Sequence, residues 1–413
     1  MSEPAGVAPL GDVDPCGSRQ AGRRSGLTLT AAGPVVGLAD GRVRAFDDDG
    51  SPRWTADGHG SAITLVPFGG GGERTAALRA PGARRSPGVL VGERSARGAV
   101  RLLVDGDERW RHDAAAVFGG PTTDTRFFLP MVVDAAVDGD TAYVAARRYE
   151  RRDGARAFES AVYALAPDGS VRWRYDADAS PVSLAPFEDG VAVAYNRCPG
   201  AHDEGLVVLD ADGAVRWTWD PAGDADRRVG DVAALEGGLV VVSHADHRGY
   251  RLRAGEVGWR VDLGRPRERG GDRVYTYPNH VHATGAGVVF VTGNTFPESG
   301  RETDARHPDE QSAVGYAPEG TERWRAVVGG FAHEVATDGD RLLVPAAQHF
   351  RDRDPSVHGW RLFDVADGPV ATGGCDGVAT AAAVDGERRA IVEEPVAYHD
   401  EGSVRGRYAL RTP

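Results

Sequence analysis

The residues best suited to chemistry are three histidines and one glutamate in the C-terminal half of the chain. They are His280, His282, His333 and Glu334. Imidazole and carboxylate groups exchange protons near neutral pH and bind zinc and similar metals. Brought together, the four could serve as catalytic acid–base groups, and His280, His282 and Glu334 could hold a metal ion. Whether they meet depends on the elements that carry them.

A repeated strand–turn–strand pattern positions these side chains. In residues 161–173, successive apolar residues fall alternately on the two faces of a strand up to a turn at Asp168-Gly169. A second short strand then reaches Trp173. Alternation with a period of two is typical of a half-buried strand, and Asp-Gly favours a tight turn because glycine tolerates positive φ. Similar stretches give six anchors in all: Trp54, Trp110, Trp173, Trp217, Trp259 and Trp324. A seventh, degraded copy at residues 359–370 ends without a tryptophan.

The spacing of the repeats predicts an all-β propeller. The two shortest intervals, from Trp173 to Trp217 and on to Trp259, match the roughly 40–45 residues of a four-stranded blade. First and second strands each recur eight times, which predicts eight blades of four antiparallel strands, with seven as the alternative. Polar insertions lengthen three units, at residues 69–86, 149–158 and 296–311. The last two join second to third strands and are expected on one face.

The predicted strands leave the eighth blade one strand short. Residues 1–25 are rich in Gly, Pro, Asp and Arg, and we expect them to form a flexible arm before a single propeller domain at residues 26–413. A strand within residues 19–26 could complete the last blade and close the ring. Closure matters because open sheet edges invite aggregation.

The turns resemble those of the pyrroloquinoline-quinone-like (PQQ-like) β-propeller family, also called the tryptophan-docking propellers. The resemblance rests on Asp-Gly-x-x-Arg-Trp sequences at residues 168–173 and 212–217 and extends over nearly the whole chain from Leu27. It implies that each tryptophan packs between neighbouring blades. It does not imply one activity, because the family includes dehydrogenases, assembly scaffolds and sensors. The chain departs from the pattern at Gly258, where the other five units have arginine before the tryptophan.

The cysteines argue against a quinone cofactor. Quinone-dependent members of the family have a vicinal cysteine pair, whereas Cys16, Cys198 and Cys375 are far apart. A quinoprotein dehydrogenase is therefore the least favoured interpretation, and we expect no PQQ. Three scattered cysteines also exclude a disulfide framework and a cysteine-based zinc site.

First strands line the channel of a propeller, so their polar residues deserve comparison. Aligned on the following turn, Asp134, Val232, His282 and Glu334 are expected at one level, with His280 on the same side as His282. An enzyme could use this site with a metal, or for arylsulfotransferase-like chemistry. In the arylsulfotransferase resemblance, His280 and His333 would accept the sulfuryl group. Arg147 or Arg148 would bind the anion. The competing interpretation is a solvated channel wall.

Two other polar clusters are interpreted as solvated segments. The run at residues 147–152 reads Arg-Arg-Tyr-Glu-Arg-Arg, and arginines recur at residues 265–273. They could bind an anionic ligand, but such runs more often form loops with local ion pairs. His244 and His247 fall where a second strand turns into a third, so a solvated turn is expected there.

The charge pattern bears on partners and location. All 48 basic residues are arginine, 61 residues are acidic, and the net charge is −13. A lysine-free acidic surface suits a salt-rich cytosol and favours a salt-adapted archaeon, although a GC-rich genome also explains arginine in place of lysine. The negative charge disfavours nucleic acid as the main partner. No apolar run reaches the ~18 residues of a membrane span, and we expect a cytoplasmic protein.

These observations favour a non-catalytic scaffold. It would bind a protein partner or a small ligand on the face that carries the insertions at residues 149–158 and 296–311. The enzyme with a channel site at His280, His282, His333 and Glu334 remains the alternative.

Overall fold

The computed structural model describes residues 6–17, 23–69, 88–123, 125, 127–221, 226–300, 302–347, 349, 351–398 and 402–413. All of the insertion expected at residues 69–86 except Gly69 lies outside this range, as do residues 19–22 of the interval expected to supply a strand. Helix in the described ranges is limited to α1 (Ala115–Phe118) and a 3-10 turn at Pro355–Val357. None of the helices described could cross a membrane.

The rest of the regular structure is β-strand, as the alternating pattern predicts. The first strand along the chain is β1 (Gly6–Pro9). A four-stranded antiparallel sheet follows, with β2 (Gly26–Thr30), β3 (Gly33–Gly37), β4 (Val43–Phe46) and β5 (Pro52–Ala56). The second set is β6 (Ser61–Phe68), β7 (Gly88–Arg94), β8 (Ala99–Val104) and β9 (Asp107–Asp113). The third is β10 (Met131–Asp138), β11 (Thr141–Arg152), β12 (Ala155–Leu165) and β13 (Val171–Ala177). A pairing of Met131 with Arg94 joins the second and third sets into one eight-stranded sheet.

The same order continues through the second half of the chain. The fourth set is β14 (Ser180–Phe187), β15 (Gly190–Arg197), β16 (Leu206–Leu209) and β17 (Val215–Trp219), and the fifth is β18 (Val229–Leu235), β19 (Gly238–Ser243), β20 (Arg248–Arg253) and β21 (Glu256–Asp262). The sixth contains β22 (Arg267–Arg269), β23 (Asp272–Thr284), β24 (Gly287–Pro297), β25 (Ser312–Tyr316) and β26 (Glu322–Val327). The seventh is β27 (Ala336–Asp338), β28 (Arg341–Ala346), β29 (Gly359–Asp364) and β30 (Gly368–Gly374).

The last sheet joins the two ends of the chain. It comprises β31 (Val378–Asp385), β32 (Arg388–Glu394) and β35 (Ala409–Thr412), and β1 pairs antiparallel with β35 at its edge. A separate two-stranded ladder is formed by β33 (Val396–Ala397) and β34 (Val404–Arg405). The pairing strand therefore lies earlier than the predicted interval at residues 19–26, of which residues 23–25 are not in a strand.

The innermost strands follow one another around a common axis. β2 packs against β6, β6 against β10, β10 against β14, β14 against β18, and β18 against β23. β31 packs against both β27 and β2, so the last sheet returns to the first. Apolar clusters fill the spaces between neighbouring sheets, for example Val240 and Val242 of one sheet against Phe290 and Val314 of the next.

Residues 24 and 25 are held at the closing sheet by a buried carboxylate, which explains why they do not form a strand. Arg24 Nε donates to Glu394 Oε2 at 2.6 Å, and Cys16 Sγ lies 3.3 Å from the same oxygen. Ser25 Oγ and Thr380 Oγ1 donate to Glu394 Oε1 at 2.8 and 3.0 Å. A carboxylate this deeply buried is tolerated only when it is paired and hydrogen-bonded.

Each of the six repeated tryptophans lies against the turn glycine of the following sheet. The pairs are Trp54–Gly106, Trp110–Gly169, Trp173–Gly213, Trp217–Gly255, Trp259–Gly320 and Trp324–Gly368. Four indole N–H groups also donate to a carbonyl of that turn: Trp110 to Pro167 at 3.0 Å, Trp173 to Ala211 at 2.8 Å, Trp259 to Pro318 at 2.9 Å and Trp324 to Val365 at 3.1 Å. A flat apolar ring with one polar N–H thus fills the seam and satisfies its own donor.

The closing seam is built differently. There Ala8 of β1 faces the turn glycine Gly50, and a methyl group placed on Gly50 would lie 3.6 Å from the Ala8 side chain. The small alanine leaves more room at this seam than an indole leaves at Gly169, where an added methyl group would lie 2.6 Å from Cγ of Trp110.

The insertion expected at residues 149–158 is regular structure. β11 and β12 continue through it as one long hairpin that turns at Asp153-Gly154. Arg147 to Arg152 are therefore strand residues and not the solvated loop that the sequence suggested. The insertion at residues 296–311 begins within β24 and leaves the strand after Pro297.

We predict that Gly169→Ala destabilises the protein by about 2–4 kcal/mol, because alanine strains a φ of 85° and its methyl group meets the Trp110 indole. Gly139→Ala is the matched control. Its φ is 57°, but no atom lies within 4 Å of the added methyl group, so it should cost only about 1–2 kcal/mol. Urea unfolding followed by fluorescence measures both values. Equal costs at the two positions would show that the indole contact contributes nothing.

Candidate functional site

The innermost strands surround a cavity of about 700 Å³. Polar side chains from successive sheets line it, and Arg23 enters from the N-terminal segment. All four residues singled out in the sequence, His280, His282, His333 and Glu334, lie on its wall. The cavity is therefore the place to test whether they form one site.

β-Bulges determine how far along the axis of the cavity its polar residues lie. The strand register shifts immediately before Asp134, Asp231 and His280, and each of them then lies four residues before its strand ends. These three occupy equivalent positions. The expected alignment of Val232 and His282 with Asp134 is therefore wrong by one and two residues.

Asp134 ties β10 to β14, and Asp231 ties β18 to β23. Asp134 Oδ2 accepts a hydrogen bond from the backbone N–H of Leu184 at 2.8 Å, and Asp231 Oδ2 accepts one from Val281 at 2.9 Å. In both residues Oδ1 accepts the N–H of the following residue at 2.9 Å. Burial raises the pKa of each carboxyl to about 6, although these donors favour the charged form.

The histidines are held by backbone carbonyls. His280 Nε2 lies 3.2 Å from the Ala332 oxygen, and its Nδ1 is 3.9 Å from Asp231 Oδ2. His282 Nε2 lies 2.8 Å from the Gly339 oxygen. Burial lowers the pKa of His280 to about 4 and also lowers that of His282. Both rings are therefore neutral at pH 7, with Nε2–H donating across to the seventh sheet.

His333 and Glu334 precede β27 and have other neighbours. The His333 ring contacts Phe331 at a centroid distance of 5.1 Å, and burial lowers its pKa to about 4. Glu334 Oε2 pairs with the Arg23 guanidinium at 2.9 Å; burial raises the pKa of this carboxyl, and Arg23 opposes that rise. His280, His282 and Glu334 thus have three separate partners. Within the described ranges no three His, Cys, Asp or Glu side chains are grouped to hold a metal ion.

A second group of polar and aromatic residues was misjudged from the sequence. His244 is 9% exposed and lies 2.8 Å from Asn196 Nδ2 and 2.9 Å from the Pro278 carbonyl. Burial lowers its pKa to about 3. The expected solvated turn is therefore wrong for His244, because the next sheet covers it. Tyr275 and Tyr277, two residues apart on β23, could have indicated a packed site from the sequence. Their rings contact His247 and His244, respectively.

Four rings form what we call the aromatic cluster: His247, Tyr275, Tyr277 and Phe296. The ring centroids of His247 and Tyr275 are 4.6 Å apart, and Phe296 lies 5.9 Å from Tyr275 and 5.5 Å from Tyr277. The Arg227 guanidinium lies 4.7 Å above the Tyr277 ring. First strands begin and second strands end at the same end of the ring, so this cluster and the tip of the β11–β12 hairpin share one face.

The hairpin itself separates its charges by side. Side chains alternate along β11, so Arg148 and Glu150 point to the opposite side from Arg147 and Tyr149. Arg148 pairs with Glu159 at 2.8 Å and with Glu150 at 3.3 Å, and Arg152 also pairs with both acids. The predicted local ion pairs are therefore present, but on one side only.

Comparisons with known proteins agree with this architecture. The family model PQQ_2, described as outer membrane protein assembly factor BamB, matches residues 96–295. The structure of BamB from Moraxella catarrhalis is similar at a TM-score of 0.55 and 15% identity, over 93% of this chain and 95% of that one. Less similar are the C-terminal WD40 domain of Sif2 (TM-score 0.46, 8% identity, 94% and 81% coverage) and BBS1N in complex with ARL6DN (0.43, 11%, 97% and 95%). The search of curated proteins gave no match. The family match and the similarity to BamB support an all-β, PQQ-like propeller fold.

We predict that Asp231→Asn changes the pH dependence of stability in a defined direction. The folded-state pKa of Asp231 is about 6, above its unfolded value of 3.8, so the folded protein binds this proton more tightly. Wild type should therefore gain stability relative to the variant, by up to about 3 kcal/mol, as the pH falls from 6 to 4. Denaturant unfolding across this range measures the difference.

Asp262→Asn is the control with the opposite sign. Burial raises the pKa of Asp262, but the hydrogen bonds and charges of Arg248 and Arg265 together outweigh it and hold this pKa below its usual value. Wild type should therefore lose stability relative to this variant as the pH falls. A wild-type advantage over Asp231→Asn that does not vary with pH would contradict the assignment.

Proposed function

We propose that the chain is an eight-bladed PQQ-like β-propeller in one domain and that it acts as a non-catalytic scaffold. It binds a protein partner on the face formed by the β11–β12 hairpin and the aromatic cluster. Eight successive sets of strands, the last completed by β1, support the number of blades. The similarity to BamB supports the fold and does not identify the partner.

The observation that carries the proposal is a difference between two regions. The polar groups of the channel are hydrogen-bonded between sheets, whereas the rings of this face are exposed. In the channel, Asp134 and Asp231 bind backbone N–H groups of the next sheet, and His280 binds a backbone carbonyl. These groups hold sheets together and are occupied in doing so. A reaction at this position would need to break the hydrogen bonds between neighbouring sheets.

The face, in contrast, presents rings that pack on one another and remain open to solvent. Phe296 is 38% exposed although it contacts both Tyr275 and Tyr277. The Arg227 guanidinium lies over the Tyr277 ring. Aromatic residues and arginine are enriched at the centres of protein interfaces, where they lose little conformational entropy on binding.

The composition supports the remaining parts of the proposal. A net charge of −13 with arginine as the sole basic residue type fits a cytoplasmic protein of a salt-adapted cell, with a partner other than nucleic acid. The proposal needs no cofactor and no metal ion, since it assigns the channel residues to the seams between sheets.

We predict that a photo-activated cross-linking amino acid at position 296, in protein expressed in its source cells, forms a covalent adduct with one discrete partner. The same amino acid at Val257, which is 49% exposed on the outer strand β21, is the control. The adduct at 296 should disappear when Tyr277 is also changed to Ala. Identical adducts at both positions, or none at 296, would contradict the proposed face.

A further inference from the structure

A pocket of about 610 Å³, which we call the arginine pocket, lies on the side of the β11–β12 hairpin opposite to Arg148 and Glu159. Arg147, Tyr149 and Arg151 alternate along β11, and Phe158 and Arg156 face Tyr149 and Arg151 from β12. Arg197 of β15 completes this part of the wall. In the described part of the chain no acidic side chain lines the pocket, although the protein as a whole is strongly acidic.

The charges of Arg147 and Arg197 are poorly compensated by acids in the described part of the chain. Arg147 makes no ion pair with any acid in the described ranges, and its buried Nε has no hydrogen-bond partner there. Arg197 is the charged neighbour that acts on Arg147. Among the described residues, the acid that pairs with Arg197 is Asp226, at 3.8 Å. Burial and the neighbouring cation Arg197 lower the pKa of Arg147 to about 10. Burial, Arg227 and Arg156 likewise lower the pKa of Arg197. An anion between them would offset this repulsion.

The walls of the pocket are aromatic. The ring of Tyr149 lies 5.3 Å from that of Phe158 and 5.2 Å from that of Phe128. The Arg147 guanidinium stacks 5.5 Å from the centroid of Phe158. Planar guanidinium and aromatic surfaces accept a flat ring, and arginine binds phosphate or carboxylate through paired N–H groups. The volume falls within the ~300–1,000 Å³ typical of small-molecule sites.

We propose that this pocket binds a small molecule in which a phosphate or carboxylate group is attached to a planar ring. Arg147 and Arg197 bind the anion, Arg156 and Arg151 draw it in from the rim, and Tyr149 with Phe158 stack on the ring. The site goes beyond the proposed scaffold function. It is a small-molecule pocket on one side of the β11–β12 hairpin, whereas the protein partner is proposed to cover the face that the hairpin shares with the aromatic cluster.

Isothermal titration calorimetry with phenyl phosphate tests the proposal, with benzoate as the carboxylate probe and inorganic phosphate and phenol as the separate halves. At least one of the two joined probes should bind saturably and at least about tenfold more tightly than its separate halves, which for benzoate are acetate and benzene-ring compounds such as phenol. The tighter of the two identifies the anion. No saturable binding of either joined probe, or binding no tighter than inorganic phosphate, would overturn the proposal.

Variants distinguish binding in the pocket from a general attraction of the anion by positive charge. Arg147→Ala and the exposed Arg156→Ala should each weaken binding, the former by about tenfold or more. Arg148→Ala is the matched control: it removes the same charge from the next position of β11, but on the side paired with Glu159, and should leave affinity unchanged. Equal losses in Arg147→Ala and Arg148→Ala, with unfolding temperatures preserved, would overturn the assignment. Cross-linking at position 296 does not involve these arginines, so failure of one proposal is distinguishable from failure of the other.

Discussion

The packing of a tryptophan ring on the turn glycine of the next sheet is the contact on which the rest of the structure depends. A four-stranded sheet cannot bury both of its apolar faces alone, so each one needs its neighbours. The indole fits because the turn has no side chain at that point, as at Gly169 and Gly213, and because its N–H meets a turn carbonyl. In the channel, aspartates add a second tie between the same sheets. These polar residues of the channel thereby help to hold the ring.

The seam between the last sheet and the first needs other contacts, because the β4–β5 turn at Gly50 faces Ala8 in place of an indole. The last sheet gains a strand from residues near the N-terminus, and buried Glu394 gathers Arg24, Ser25 and Thr380 around one carboxylate. With the sheets fixed on all sides, the loops and strand extensions at one end are free to carry exposed rings and a group of arginines. That division explains why the ring wall is apolar and tightly packed while the arginine pocket and the aromatic cluster occupy one face.

The sequence predicted the strand order and the six tryptophans well because both are local, repeated patterns. It predicted poorly how far along the channel each polar residue lies, because a bulge before Asp231 or His280 cannot be recognised from the alternation of residues along a strand. The β11–β12 hairpin was mistaken for a loop because its alternation is between charged residues and lacks the apolar side that usually reveals a strand. The ties of Arg23 to Glu334 and of Arg24 to Glu394 join residues more than 300 positions apart, and nothing in the local sequence indicates such a pairing. The arginine pocket becomes visible only when the two sides of β11 are separated.

The most direct test of this account is the closing strand. A variant lacking residues 1–9 should unfold at a distinctly lower urea concentration than the full chain, because the edge of β35 and the seam at Gly50 lose their covering. A synthetic peptide of residues 1–12, added in excess, should restore part of the loss. An unfolding midpoint that does not change on truncation would contradict the claim that continuous packing from sheet to sheet, through the last seam, holds the ring together.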